Sequence, residues 1–286
     1  MQGEPGSGGY ARVMTTEHRS TVRIAAMSDV HYGKSSQGHL ADVFAQAADM
    51  ADLLVLCGDL TDYGLADEAR VLAKDLVANV RVPIVGVLGN HDYEAGEEDT
   101  IRQIMTDAGA RILDGDAVEI HGIGFAGAKG FAGGFGRGAL GPWGEATIKQ
   151  FVHEAIQEAL KLENALARLR SAQRIALLHY SPVRSTCEGE PPEILAYLGS
   201  SRLEEPLGRF PVTAVFHGHA HKGAPEGRTQ QGVPVFNVSL ALLRDAYPDR
   251  PPFRLLEVKR TSESDGEEVA IGSVTSATPR RRSGDA

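Results

Sequence analysis

Two cysteines in 286 residues are too few for a disulfide framework. Cys57 lies inside the run LLVLCGD, where a small buried thiol is the expected role. No apolar stretch reaches the roughly 18 residues that a membrane-spanning helix needs. Positive charge is also in deficit, with 29 Lys and Arg against 38 Asp and Glu, a formal net charge of -9. A broad face for long nucleic acid is therefore not expected, because phosphate backbones require clustered Lys and Arg. A small phosphorylated substrate stays compatible, since bound divalent cations can supply the field that the side chains lack. The first residues, MQGEPGSGGYARVMTTEHRS, lack the apolar middle of a signal peptide, so a cytoplasmic location is expected.

What is abundant is glycine, at 33 residues, beside an apolar fraction of 42% that still permits a sizeable core at this length. Residues 1–20 and 273–286 carry no apolar pattern and read as solvated, flexible tails. One domain is expected over residues 21–272, with no repeat and no linker inside it.

Short apolar runs, TVRIAAMS, ADLLVLCG and VPIVGVLG, alternate with GHLADVFAQAADM and LADEARVLAKDLVANV, whose apolar residues recur at helical spacing. Alternating strand and helix is the pattern of crossover units in a mostly parallel sheet. DAVEIHGIGFAGAKG reads as two short strands joined by a tight turn. The Gly-rich segment 127–144 fits neither element and is a candidate lid or substrate loop, with Lys129, Arg137 and Trp143 as its candidate contacts. Residues 145–170 form an amphipathic helix whose stripe of Ile148, Phe151, Val152, Ala155, Ile156, Ala159, Leu162, Leu166 and Leu169 is expected to face the core. The later runs RIALLHY, VTAVFHGHAH, VPVFNVSL, FRLLEV and EVAIGSV come with fewer helices, which suggests a second sheet packed on the first.

The polar residues that follow these runs carry the chemistry. SDVH, GDLTD and GNHD follow the first three strands, where open α/β sheets place their functional loops. Six of the ten histidines stand at strand ends: His31, His91, His179, His217, His219 and His221. The other four, His18, His39, His121 and His153, receive no role. Imidazole with carboxylate suits Mn, Fe, Zn, Ni or Co, and the cysteine count excludes a thiolate site. Asp59 has two oxygens with which to bridge ions. Asp29-x-His31 and His219-x-His221 are each candidate two-ligand clips, because alternate residues of an extended segment point the same way. Each motif is weak alone. A lone Gly-Asp is usually a turn, while GNHD and HGHAH have no evident folding purpose.

DVH (29–31), GDLTD (58–62), GNHD (89–92), LLHYSP (177–182) and GHAH (218–221) together resemble the calcineurin-like metallophosphoesterases, in the family's order. The resemblance implies an α/β fold, a two-sheet β-sandwich flanked by helices, with a site for two divalent or trivalent transition-metal ions at the strand ends. It implies that Asp29, His31 and His221 hold the first metal, that Asp59 bridges, and that Asn90, His179 and His219 hold the second. Asn90 and His91 would meet the substrate. His91 would assist as the catalytic group, and Asp92 is expected to orient it. No role transfers to His217, for which a supporting or core position is expected. Arg184, after LLHYSP, is a candidate phosphate contact.

The expected activity is hydrolysis of a small phosphoester, a phosphodiester in preference, by a water that two metals share and acidify. A phosphomonoesterase of the same fold and a non-catalytic metal-binding or scaffold module are the alternatives. A nuclease acting on long chains is disfavoured by the charge. The oligomeric state stays open, with a dimer among the alternatives.

Overall fold

The computed structural model describes residues 21–260 and 269–271, so both expected tails lie outside the described residues. The chain order is β1 (Thr21–Met27), α1 (Ala41–Met50), β2 (Leu53–Cys57), α2 (Ala66–Asn79), β3 (Ile84–Val87), α3 (Glu98–Asp107) and β4 (Ala110–Ile112). There follow β5 (Asp116–Ile120), β6 (Ile123–Gly127), α4 (Ala146–Arg168), β7 (Gln173–Leu177), α5 (Leu195–Leu198), α6 (Glu204–Arg209) and β8 (Ala214–His217). The last elements are β9 (Glu226–Arg228), β10 (Pro234–Asn237), α7 (Leu240–Ala246), β11 (Arg254–Lys259) and β12 (Val269–Ile271).

Two sheets result, in the orders β11-β1-β2-β3-β4 and β12-β5-β6-β7-β8-β10-β9. The neighbours β1 to β4 are parallel, as are β6, β7, β8 and β10. Antiparallel strands close the edges. The period of two along each strand sorts its side chains between layers. In β2, Leu53, Val55 and Cys57 face the second sheet and pack with Phe125, Ile175, Leu177 and Phe216. Leu54 and Leu56 point the other way, onto Phe44, Leu72 and Ile101 beneath the first helices. Ala126, Ala176 and Val215 of the second sheet meet Leu162, Leu166 and Leu207 of α4 and α6. Both sheets are thus covered on both faces, in the order helix, sheet, sheet, helix, which explains why their strands read as continuous apolar runs.

The tight turn of β5–β6 is His121-Gly122, with φ of 53° and 78°, as a two-residue hairpin turn requires. The stripe on α4 is narrower than its sequence pattern. Val152, Ala155, Leu162, Leu166 and, at the helix end, Leu169 are buried, whereas Ile148 and Ile156 lie on the flank and are exposed. Glu158 takes a buried place instead, accepting from the Gly130 N–H at 2.8 Å and pairing with Lys161 at 2.7 Å. A charged residue carries no apolar signal, so the pattern could not reveal that this side of the helix was inside.

Candidate metal centre

Parallel strands end on the same edge, and the ends of β1, β2, β3, β7 and β8 bring DVH, GDLTD, GNHD, LLHYSP and GHAH together. Backbone bonds carry the contact past the strands: Asp29 N donates to Gly58 O at 3.0 Å, His31 N to Asp59 O at 3.1 Å and Gly218 N to His179 O at 3.1 Å. The glycines of the motifs have a steric purpose. A Cβ on Gly89 would stand 2.2 Å from the Asp59 nitrogen and carboxylate, and one on Gly218 would stand 2.4 Å from the Asp29 carboxylate.

Among the described residues, five that are not glycine have positive φ, and four of them are Asp29 (58°), His31 (43°), Asp59 (49°) and His219 (69°). The fifth is the hairpin residue His121. Left-handed backbone is disfavoured for such residues and persists where the surroundings enforce it, which is typical of functional sites.

Three groups of potential ligand atoms lie within 4.8 Å: Asp29 with His31 and His221, His31 with Asp59 and His91, and Asp59 with His179 and His219. Asp59 is shared. Its Oδ2 is 3.8 Å from His31 Nε2 and its Oδ1 is 3.3 Å from His179 Nε2. Asn90 joins the second cluster through Oδ1, 2.9 Å from His179 Nε2. Asp29 Oδ1 is 3.0 Å from His221 Nε2. The structure thus brings all seven sequence-predicted ligands, with His91, to one place.

Backbone carbonyls set the ring tautomers. A carbonyl can only accept, so His179 Nδ1 donates to Cys57 O at 2.9 Å and leaves Nε2 facing Asp59 and Asn90. His219 Nε2 donates to Tyr197 O at 3.2 Å, which leaves its Nδ1 bare. His91 Nδ1 donates to Asp62 O at 2.7 Å, which leaves Nε2 free, 4.0 Å from Asp59 Oδ2. Main-chain carbonyls carry no mark of residue type, so sequence reasoning had no signal for these three contacts.

The electrostatics of the cluster pair carboxylates with imidazoles. Burial alone would raise the Asp29 pKa, but the His221 hydrogen bond and the neighbouring imidazoles bring it below the usual carboxylate range. Asp59 is lowered in the same way, its burial outweighed chiefly by His179. His179 is the counterpart: burial opposes its charge, yet Asp59 and then Asp29 push its pKa to about 9. Desolvation lowers His31, and lowers His219 to about 4, which keeps their lone pairs available. Both nitrogens of His31 are buried without a hydrogen-bond partner. An orphaned imidazole facing carboxylates, and bare nitrogens facing oxygens, fit divalent metal ions in chemistry and donor number.

His217 is buried and stands outside all three groups. Its Nδ1 donates to Gly218 O at 2.8 Å and its Nε2 lies 2.8 Å from Thr186 Oγ1, while burial lowers its pKa to about 4. This neutral ring buttresses the GHAH turn.

One expectation is corrected. Asp92 does not orient His91; its carboxylate accepts from Gly89 N at 2.8 Å, Thr61 N at 2.8 Å, Thr61 Oγ1 at 2.6 Å and Leu60 N at 3.2 Å. It ties the third loop to the second, and burial with the nearby Asp59 raises its pKa to about 6. Asp92→Asn places an amide donor among these four donors. It should destabilise the metal-free protein by about 2–4 kcal/mol in urea unfolding, as buried donors lose their acceptor. Unchanged stability would show that the carboxylate does not hold the loops.

The Gly-rich segment divides. Lys129 is buried, its ammonium donating to Gly130 O and standing 5.0–5.3 Å from the rings of Tyr93, Phe131 and Tyr180. It is a packing cation, not a substrate contact. Arg137 and Trp143 are exposed, as is Arg184, and no described hydrogen bond joins any of the three to the site.

Fold and site together define a metal-dependent phosphoesterase. The chain belongs to the calcineurin-like phosphoesterase family, whose model matches residues 22–223. Among solved structures it is similar to the phosphopantetheinyl hydrolase PptH from Mycobacterium tuberculosis. That match has 15% identity, a TM-score of 0.61, and coverage of 87% of this chain and 99% of that one. TT1561 of Thermus thermophilus is 14% identical at a TM-score of 0.46, over 84% of this chain and 99% of its own. GAP50, the anchor in the inner membrane complex of Plasmodium, is 15% identical at a TM-score of 0.49, over 78% of this chain and 73% of its own. At 15% identity the likeness to PptH is one of fold. No curated protein matches the sequence. Among the described residues no helix is long and apolar enough to cross a membrane.

Proposed function

We propose that the chain hydrolyses a small phosphodiester at a two-ion centre in which Asp59 is the shared ligand. The observation that carries this reading is the position of Asp59, one of whose oxygens is 3.8 Å from His31 Nε2 and the other 3.3 Å from His179 Nε2. Asp29, His31 and His221 would complete one ion's ligands, and Asn90, His179 and His219 the other's. Bound there, divalent ions offset the charge of phosphoryl oxygens and acidify a water.

The chain's own residues supply the rest. Asp29 and Asp59 stay ionised through their imidazole neighbours. Cys57 O and Tyr197 O fix the ring orientations, so that Nε2 of His179, once its proton is displaced, and Nδ1 of His219 would be the nitrogens offered to a metal. His91, oriented by Asp62 O and half-buried beside His31, presents Nε2 to the centre, where the doubly protonated ring can donate to the phosphoryl group or pass its Nε2 proton to the leaving oxygen. The GDLTD and GNHD forms resemble those of small bacterial phosphodiesterases, which favours a diester. PptH, of the same fold, is named as a phosphopantetheinyl hydrolase, and esters of that class belong among the first compounds to assay.

His91 also stands within ligand distance of His31 and Asp59, so metal content is the readout that separates its two roles. His91→Ala should lower turnover of bis(p-nitrophenyl) phosphate with added Mn by about 10²–10⁴. Its bound metal should equal that of the unsubstituted chain. Unchanged turnover would remove the catalytic role, and lost metal would make His91 a ligand. p-Nitrophenyl phosphate, run beside the diester, separates a phosphodiesterase from a phosphomonoesterase.

A further inference from the structure

Beside the Asp29–His31 edge of the centre opens a cavity of about 650 Å³, walled by the loop that follows DVH and by α7. Its lining includes Ser35, Ser36, Gln37, His39 and Arg244. This volume lies in the range of small-molecule sites.

The walls are held in place. The buried Asp75 carboxylate accepts from Tyr32 Oη at 2.8 Å and from Gly38 N at 2.6 Å, which fixes both ends of the loop to α2. Inside the loop, Ser36 N donates to Gly33 O at 3.1 Å and His39 N to Ser36 O at 2.9 Å. On the facing wall, α7 is anchored where Leu240 N donates to Ser28 O at 3.0 Å, one residue before Asp29. Arg244 stands in the last turn of α7 with no carboxylate within ion-pair distance among the described residues. Arg244 is exposed at the cavity, so its guanidinium is open to an anion entering from solvent.

We propose that this cavity takes one ester arm of the substrate and that Arg244, with His39 and the loop's hydroxyls, reads a second anionic group on that arm. A phosphate is the anion that best uses these donors at once, because the guanidinium fork binds two of its oxygens and leaves the third to the loop. The substrate class is then a phosphodiester with a further phosphate on its organic arm. The inference rests on the phosphodiesterase reading for the placing of the scissile group, while its own content is the second anion.

Binding separates the two claims. Titration calorimetry on the full chain with Mn would compare thymidine 5'-monophosphate with thymidine 3',5'-bisphosphate. The distal phosphate should tighten binding by about tenfold, a difference of about 1.4 kcal/mol. In Arg244→Ala the ratio of the two dissociation constants should fall to about one, with Arg244→Lys between. A ratio near one in the unsubstituted chain, or a ratio that survives Arg244→Ala, would overturn the subsite. Turnover of the p-nitrophenyl ester of thymidine 5'-phosphate is followed in parallel. Its absence under every metal would sink the hydrolytic reading, while the binding ratio would still decide the subsite.

Discussion

Asp59→Asn should abolish metal-dependent hydrolysis, lowering turnover by about 10³-fold or more, and should release metal from both clusters. The substitution changes almost no volume. Asn keeps an oxygen that can accept from His91 N, which lies 2.9 Å from Asp59 Oδ1, so the fold should survive. What disappears is the charge and the second anionic oxygen at the one position that faces His31 and His179 together. An amide ligates weakly, and it cannot draw two cations to one point. Loss of a single electrostatic donor in a dry site typically costs about 10²–10³ in rate, and here the shared element of the whole cluster is removed. Bis(p-nitrophenyl) phosphate turnover with added Mn, read beside metal content by mass spectrometry, checks both halves. Unchanged turnover together with unchanged metal would contradict the account.

Gly89→Ala should be severely damaging for the addition of a single methyl. The added Cβ would meet the Asp59 nitrogen and Oδ1 at 2.2 Å. Asp59 is buried, its backbone is bonded to His31, and the Gly89 N–H is held by Asp92, so neither side has room to move. Overpacking in a rigid site costs about 1–3 kcal/mol and occasionally more, and the upper end is expected here. Metal binding should fail at the same time, since the carboxylate must shift. Gly96→Ala is the control: φ is +71° but nothing lies within 4 Å, so only the backbone strain of about 1 kcal/mol applies. If thermal unfolding showed equal losses for the two variants, close approach at Gly89 would not be the reason for that glycine.

The layers were legible because both sheets are buried on both faces, so β2 and β3, and β1 beyond Arg23, appear as apolar runs between amphipathic segments. The chemistry was legible because polar residues cut those runs off at one edge. Less legible was anything decided by contacts between distant main-chain atoms. Cys57 O and His179 are 122 residues apart, and the bond that sets the ring's tautomer leaves no mark on residue type. The same holds for Tyr197 O, in a stretch of short turns between β7 and β8 that offered no periodicity. Asp92 was misjudged because a carboxylate beside a histidine suggests a pair in sequence, whereas in the structure four donors from the strand ends claim it. Ile148 and Ile156 were placed inside because helical spacing fixes a direction but not the width of the buried face.

The central claim is a pair of ions sharing Asp59. It is tested most directly by stripping the full chain of metal and titrating Mn back, with bound metal and diester turnover followed together. The account predicts two equivalents per chain in the unsubstituted protein, with turnover appearing as the second is filled, and fewer than two in Asp59→Asn. One equivalent at saturation, or full turnover by the metal-free chain, would contradict it.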